Sequence, residues 1–424
     1  MKYKVLLIGS GAREHSIAWR LNKSPLLNKL FCIPGNPGIA QIAKCHPIQI
    51  EDFLSIKKFI EEHKIDLVFC GPEAPLADGL MDYLSEELQT KTIFIGPKKK
   101  GALLESSKKF AKEFMYKYDI PTAKYKAFNS TELNKAIEYI KLMTPPIVLK
   151  ADGLAAGKGV IISPTHEQAI SEIEMMLKGK FGDASKEVVI EEFLSGIEFS
   201  CFVLTNGTQY VILPDAKDYK KIGEADLGLN TGGMGSISPV DFVDIELKEK
   251  IIQRIVNPTL YGLQNEQIDY QGFIFIGLII VGNDPYVIEY NCRLGDPETE
   301  SIMLRLDSDL IELLVACDNH TLDDYSLVIN KQYAATIFLV SGGYPEEFEK
   351  GKVISNIPHD THSSFIFHAA TKQVEKQLVT NGGRVISISS LGSSKEDALQ
   401  KSIEIANQIK YDGKYFRKDI GFDL

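Results

Sequence analysis

Four times within the first hundred residues a short apolar run stops at a glycine- or proline-bearing turn. Val5-Leu6-Leu7-Ile8 meets Gly9-Ser10-Gly11 and a helix from about Arg13, and Leu30-Phe31-Cys32-Ile33 meets Pro34-Gly35-Asn36-Pro37-Gly38. Leu67-Val68-Phe69-Cys70 meets Gly71-Pro72-Glu73-Ala74-Pro75, and Thr92-Ile93-Phe94-Ile95 meets Gly96-Pro97. Strand, turn and helix in repeated order predict a parallel, Rossmann-like α/β sheet. The ligand crevice of such a sheet lies beyond the carboxyl ends of its strands, where all four turns gather.

Further along, a lysine-rich helical pattern covers 105–118 and stops before Ile120-Pro121. A helix over 132–142, strands over 146–150, 160–163 and 188–192, and a helix over 167–177 read as a small βαβ-like unit. Residues 200–291 read mostly as strands, interrupted by a polar, glycine-rich loop over 215–235 and a helix near 246–263. Residues 302–317 read as one helix. The remainder mixes strands (335–340, 364–368, 384–389) with a final helix over 395–409. The expected division is an N-terminal substrate-binding α/β domain over 1–104, a central domain over 105–328 with a lid at about 121–193, and a C-terminal α+β domain over 329–424.

The 424 residues carry 47 Lys+Arg against 57 Asp+Glu, a formal net charge of −10. That balance argues against nucleic acid or an anionic membrane as partner, because both need a basic surface. One local cluster of cations can still hold a small phosphorylated ligand. The most apolar stretch, 273–282, is about half the roughly 20 residues a membrane helix requires. The apolar run at 5–8 is too short for a signal peptide, and Arg13, Glu14 and His15 follow it. Six scattered cysteines without a CxxC pair read as reduced thiols, hence a cytoplasmic protein. The eight histidines lack metal-like spacing; His368 alone draws attention, at a strand end before Ala369-Ala370-Thr371-Lys372.

Four segments carry the chemistry. Gly9-Ser10-Gly11 lacks the third glycine of a dinucleotide fingerprint, since Glu14 stands there, and residues 28–36 hold no acid for a ribose. A small phosphate ligand and a structural turn both remain open for it. Lys150 leads into Ala151-Asp152-Gly153-Leu154-Ala155-Ala156-Gly157-Lys158-Gly159 and then a β-branched strand. A Walker A loop would continue with Ser or Thr into a helix. This is instead a glycine-rich flap between strands, able to close over nucleotide phosphates and expel water. Lys150 can reach a phosphate as a point charge.

On the strand 286–293, Glu289, Asn291 and Arg293 share one face by the period of two. A carboxylate beside an amide oxygen suits Mg²⁺, and the arginine can hold a phosphoryl oxygen as charge develops. An ordinary half-exposed strand is the plain alternative. Glu191-Glu192-Phe193-Leu194, with Glu198, could hold adenine by backbone groups and a ribose by an acid. Asp218, Lys220, Thr231 and Gly232 lie in a polar loop that lines a substrate site or is merely a turn.

Together these segments resemble the ATP-grasp enzymes, and within them the phosphoribosylamine–glycine ligase family. The resemblance rests on Gly-Ser-Gly-Ala-Arg-Glu-His, Gly-Pro-Glu-Ala-Pro-Leu, Lys-Ala-Asp-Gly-Leu-Ala-Ala-Gly-Lys-Gly-Val, Asn-Thr-Gly-Gly-Met-Gly, Asn-Cys-Arg-Leu-Gly-Asp-Pro-Glu-Thr and Arg-Lys-Asp-Ile-Gly, from residue 5 to about 421. It implies an ATP-grasp fold and a reaction in which ATP, glycine and 5-phosphoribosylamine give ADP, phosphate and glycinamide ribonucleotide through glycyl phosphate. It implies ATP-binding roles for Lys108, Lys150, Gly157, Lys158, Gly159, Glu191, Glu192, Phe193, Leu194 and Glu198. Glu289 and Asn291 would ligate Mg²⁺ or Mn²⁺, and Arg293, Lys150 and Asp218 would be catalytic. Gly11, Asn36, Glu73, Asp218, Lys220, Thr231, Gly232, Arg293, Asp296, Thr371 and Lys372 would surround the substrates.

A monomer or weak homo-oligomer acting on small molecules is implied. A sister purine-pathway ATP-grasp ligase or carboxylase, or a non-catalytic nucleotide-binding protein, stands as the alternative. The chain departs from the family pattern at Ala12, Ala216, Lys217, Tyr219 and Leu229. Residues 273–281 offer no acid for a second metal ion.

Overall fold

The run Val5-Leu6-Leu7-Ile8 is wholly buried because it is the middle strand of a sheet covered on both faces. A computed structural model describes residues 2–88, 90–155 and 158–424. The first sheet holds β1 (Tyr3–Gly9), β2 (Leu27–Pro34), β3 (Lys44–Cys45), β4 (Leu67–Cys70) and β5 (Ile93–Ile95) in the order β3-β2-β1-β4-β5. Every pairing is parallel. Leu6, Ile8, Phe31 and Val68 face one core, while Val5, Leu7, Cys32 and Phe69 face another. Helices α1 (Ala12–Asn22), α2 (Phe53–His63), α3 (Glu73–Asp78) and α4 (Leu80–Glu87) connect the strands. The order reverses between β1 and β4, the place where such sheets hold ligands.

The helix expected over 105–118 is two helices, α5 (Lys99–Ser106) and α6 (Lys108–Lys117). Ser107 between them is extended, and its hydroxyl accepts from the Phe110 N–H at 3.1 Å, a cap that starts a new helix. The lid follows: β6 (Tyr125–Asn129), α7 (Leu133–Leu142), β7 (Ile147–Ala151), β8 (Val160–Ser163), α8 (His166–Leu177) and β9 (Glu187–Glu192). Its strand order is β6-β9-β7-β8, with every pair antiparallel. The βαβ-like reading is therefore corrected: β8 and β9 run parallel around α8, but β7 lies between them. The lid has its own core, including Leu149, Ile173, Val188 and Ile190.

The next elements are β10 (Ile197–Thr205), β11 (Tyr210–Ile212), β12 (Lys217–Asp218), β13 (Gly235–Ser238) and α9 (Ile245–Ile251). A π turn (Ile252–Val256) leads from α9 into α10 (Asn257–Asn265), before β14 (Gly272–Val281) and β15 (Asp284–Asn291). The sheet β11-β10-β14-β15 is antiparallel. Its inner strand β14 is the most apolar stretch of the chain because β10 and β15 flank it.

The single helix expected over 302–317 is also two, α11 (Glu298–Arg305) and α12 (Leu310–Asp318). Asp309 caps the second by accepting from the Glu312 N–H at 2.9 Å. The C-terminal elements are β16 (Tyr333–Val340), β17 (Ser364–His368), β18 (Thr371–Val374), β19 (Gln377–Thr380), β20 (Arg384–Gly392) and α13 (Lys395–Gln408). Their sheet, β12-β13-β16-β20-β17, takes two strands from residues 217–238, well upstream of 329. No helix among the described residues is long and apolar enough to cross a membrane.

Candidate active site

At the carboxyl ends of β1 and β4 the crevice is filled by the chain itself. Gly9 (φ +129°) and Gly71 leave room for the Glu14 side chain, which a Cβ at either position would strike. Glu14 accepts from the Gly11 N–H at 2.6 Å and from Arg13 Nε at 2.7 Å. The start of α1 is thus capped by its own carboxylate, as a structural turn at Gly9-Ser10-Gly11 requires. It also explains why Glu14 stands where a dinucleotide site has glycine.

Asn36 is likewise committed. Its amide donates to Ser10 O at 2.8 Å and His368 O at 2.7 Å, while its oxygen accepts from the Gly38 and Ile39 N–H groups. The side-chain amide of Asn36 is thus hydrogen-bonded within the chain and ties the first turns to β17. His15 Nδ1 accepts from the His368 N–H at 2.8 Å, and His368 Nδ1 meets Thr371 Oγ1 at 3.0 Å. Burial, aided by His368, lowers His15 to about 3, and burial lowers His368 to about 4, so both rings are neutral. Thr371 belongs to this buried chain of contacts. The Lys372 side chain is exposed and forms no ion pair or hydrogen bond among the described residues.

Arg293 joins the first and central units. Its Nη2 donates to Glu105 Oε1 at 2.8 Å and Asn291 Oδ1 at 3.2 Å, and its Nε to Glu73 Oε2 at 3.3 Å. Burial pushes Glu73 up, but Arg293 and Arg13 outweigh it and bring the carboxyl down to about 2. The Cys292 N–H and thiol also donate to Glu105. Burial holds Glu105 above its ordinary value despite Arg293.

Two residues past β12, Lys220 Nζ sits 3.6 Å from Glu198, 3.8 Å from Asp218 and 4.0 Å from Glu289. Asp218 holds Lys220 well above its ordinary value against the effect of burial. Burial raises Glu289, but Lys220, Lys150, Lys108 and Arg293 together outweigh it and keep that carboxylate ionised. Glu298, at the start of α11, accepts from Ser200 Oγ at 2.9 Å, and burial with Asp218 raises it to about 7. Among the described residues no group of three or more His, Cys, Asp or Glu forms a metal cage. An ionised carboxylate and an amide oxygen, two positions apart on β15, are instead an all-oxygen pair. They fit a hard cation that completes its shell with water and phosphate.

Under the lid, Glu191 Oε2 lies 3.1 Å from Lys112 Nζ and 3.0 Å from Lys150 Nζ, all three side chains being buried. The sequence assigns Glu191 to ATP. Its Oε2 is the counterion of the two lysines, while its Oε1 has no hydrogen-bond partner among the described residues. Lys150 also donates to Ile288 O at 3.0 Å. Burial and Lys150 hold Lys108 below its ordinary value, and its Nζ reaches Gly153 O at 3.4 Å.

Asp152, at the root of the flap, accepts from the Lys109 N–H at 2.7 Å and ties flap to α6. Lys158 is exposed, Gly159 is packed against Ala155 and Ala151, and Gly157 lies outside the described residues. Glu192 accepts from the Lys124 N–H at 2.9 Å. Past it, the backbone groups of Phe193 and Leu194 form no hydrogen bond within the described chain.

Asp296 pairs with Arg384 at 2.9 Å, and Arg384 donates to Gly232 O at 2.6 Å. Thr231 Oγ1 donates to Lys220 O at 2.8 Å. The sequence reading missed Glu105, Lys112, Glu298 and Arg384. Only Glu298 carried a signal, in the polar turn before α11.

Three family models match in succession. They are phosphoribosylglycinamide synthetase, N domain, over 3–105; its ATP-grasp (A) domain over 106–299; and its C domain over 334–423. The phosphoribosylamine–glycine ligase of Haemophilus influenzae is 43% identical over 424 residues, covering 99% of this chain and 97% of that protein. The Nostoc enzyme of the same name is 42% identical, covering 99% of each. The crystal structure of the Thermotoga maritima phosphoribosylamine–glycine ligase superposes with a TM-score of 0.84 at 34% identity, over 98% of this chain and 100% of that one. The biotin carboxylase domain of Hydrogenobacter thermophilus 2-oxoglutarate carboxylase, in complex with MgADP, gives 0.73 at 16% identity over 98% and 92%. That last likeness is one of fold alone, the ATP-grasp fold.

Proposed function

Because this chain belongs to the phosphoribosylglycinamide synthetase family, we propose that its cleft joins glycine to 5-phosphoribosylamine, giving glycinamide ribonucleotide, ADP and phosphate in purine biosynthesis. It is an ATP-dependent carbon–nitrogen ligase. The observation that carries the reading is Lys220, whose ammonium lies within 4.0 Å of Glu198, Asp218 and Glu289. One cation thereby joins the edge expected to hold nucleotide, the substrate loop and the strand expected to hold metal.

A carboxylate is a poor acyl donor, so glycine is first phosphorylated. Its oxygen attacks the γ-phosphorus, the bond to ADP breaks, and glycyl phosphate forms. The ribosylamine nitrogen then attacks the acyl carbon, the carbon–oxygen bond to phosphate breaks, and the nitrogen loses a proton. Positioning and charge neutralisation do most of this work. Lys108 and Lys150 face the phosphates, Arg293 the transferred group, and Asp218, Lys220, Thr231, Gly232 and Asp296 the co-substrates. Phe193 and Leu194 present free backbone groups to adenine, and Glu198 its carboxylate to the ribose. Glu289 and Asn291 would hold Mg²⁺ or Mn²⁺, which neutralises phosphate charge when bound. The flap excludes water, which would hydrolyse an acyl phosphate. The reading places the enzyme in the cytoplasm as a monomer or weak homo-oligomer.

The test is ADP release from ATP, glycine and freshly generated phosphoribosylamine. Release that needs both co-substrates is the expected outcome. Formation of AMP, or a requirement for bicarbonate, overturns the reading in favour of a sister enzyme.

A further inference from the structure

The segment Arg417-Lys418-Asp419-Ile420-Gly421 takes no part in the chemistry above, yet Arg417 has no exposed side-chain surface at all. Its guanidinium donates four hydrogen bonds. Nε and Nη2 donate to the two oxygens of Asp419 at 2.8 and 2.9 Å, and Nη1 donates to Asp226 Oδ1 at 2.7 Å and Lys221 O at 3.1 Å. Asp419 in turn accepts from the Ala225 N–H at 2.6 Å. Both loop residues so gripped, Ala225 and Asp226, have φ of +53°, a left-handed backbone that side chains adopt only when held.

The same tail holds the loop at its other end. Asp423 accepts from Tyr219 Oη at 2.7 Å and pairs with Lys217 Nζ at 3.2 Å, and the Arg417 guanidinium lies over the Tyr219 ring. Side chains along an extended segment alternate between faces. Lys217 and Tyr219 therefore turn to the tail, while Asp218 and Lys220 turn to Glu198 and Glu289. Two of the departures from the family pattern, Lys217 and Tyr219, thus fall on the face held by the tail.

We propose that Arg417, seconded by Asp423, is a positioning residue: the C-terminal tail sets the loop 217–235 so that Asp218 and Lys220 meet the co-substrates. The inference rests on the ligase reading. The nucleotide-facing residues Lys108, Lys150, Phe193 and Leu194 lie on other elements. Glu198, also assigned to the nucleotide, touches the loop through Lys220 at 3.6 Å and Lys217 at 3.3 Å, so the effect falls mainly on the co-substrates.

The test compares wild type with Arg417→Met, Asp226→Asn and Asp423→Asn. In Arg417→Met the KM for phosphoribosylamine is expected to rise about tenfold or more, with the Kd for ATP, measured without co-substrates, within about twofold of wild type. Asp226 is partly exposed, so its variant folds and should move KM in the same direction by a smaller factor. Amide exchange over 219–231 should quicken in all three. An unchanged KM alongside a lowered Tm, or an equal loss of ATP affinity, overturns the positioning role; should Arg417→Met not fold, the two milder variants decide by the same criteria. Failure of wild type itself to turn over the three substrates overturns the ligase reading instead.

Discussion

Glu191 is one anion between two buried cations, and that imbalance makes Glu191→Gln a quantitative test. The side chains of Lys112, Lys150 and Glu191 are 2%, 6% and 4% exposed. With glutamine in place, two ammonium groups share only neutral acceptors: Thr122 Oγ1 and Ala123 O for Lys112, Ile288 O for Lys150. Removing the counterion from a buried pair costs about 3–5 kcal/mol. Lys112→Met should cost less, because it leaves Glu191 and Lys150 matched one to one.

The pH dependence gives a second readout. Burial brings Lys112 down to about 8 despite Glu191, against 10.5 ordinarily. At about 1.4 kcal/mol for each tenfold, keeping that proton in the folded state costs about 3 kcal/mol near neutral pH. The unfolded chain binds the proton up to about 10.5, so stability should rise from pH 8 to 10.5 and stay flat in this respect below pH 8. Lys112→Met should abolish the rise. Amide exchange in β9 at pH 7 reads the local cost even where the three units do not unfold together. Urea midpoints across pH 7–10 read the slope. A loss under about 1 kcal/mol in Glu191→Gln, or an equal loss in Lys112→Met, would refute the shared-counterion account.

Three further outcomes are expected. Glu289→Ala should lower kcat by about a hundredfold or more with the fold intact by circular dichroism; retained turnover would remove Glu289 from the metal site. Glu298 is raised to about 7 from 4.5, so the folded state binds its proton more tightly. Stability should then fall as pH rises from about 4.5 to 7, by about 3 kcal/mol, and Glu298→Gln should flatten that slope in thermal unfolding. Gly71→Ala should drive Glu14 from its place, costing about 1–3 kcal/mol in urea unfolding; no change would mean that Glu14 does not need that room.

Apolar runs of four residues gave the parallel sheet away, because a strand covered on both faces needs no polar alternation. The period of two likewise set Asn291 and Arg293 on one face, and their side chains meet at 3.2 Å. What the sequence hid was local capping and distant pairing. Ser107 sits inside a lysine-rich helical pattern, and only its hydroxyl on the Phe110 N–H reveals that two helices meet there. Glu105 finds Arg293 across 188 positions and Arg384 finds Asp296 across 88. No spacing rule connects residues that distant. The partners of Asn36 were hidden for a related reason: its amide donates to His368 O, 332 positions away.

The distances also sort the cations by what they can do when phosphate arrives. Arg293 is fixed at 2.8 Å from Glu105, and Lys150 at 3.0 Å from both Glu191 and Ile288 O. Such groups cannot swing to a ligand without uncovering a buried charge, so under the proposed ligase mechanism they would act as fixed sources of field, already oriented before the reaction. Lys220 is different. Its three acids lie at 3.6, 3.8 and 4.0 Å, beyond good hydrogen-bond length, and its side chain is 41% exposed. Among the described residues, Lys108 Nζ holds only a carbonyl, at 3.4 Å. These two can exchange partners for a phosphate or carboxylate at small cost. In a chain with ten more acids than bases, anionic substrates must compete with carboxylates for every cation. That competition is weakest at Lys108, which faces a carbonyl; at Lys220 it is divided among three acids, none at good hydrogen-bond length.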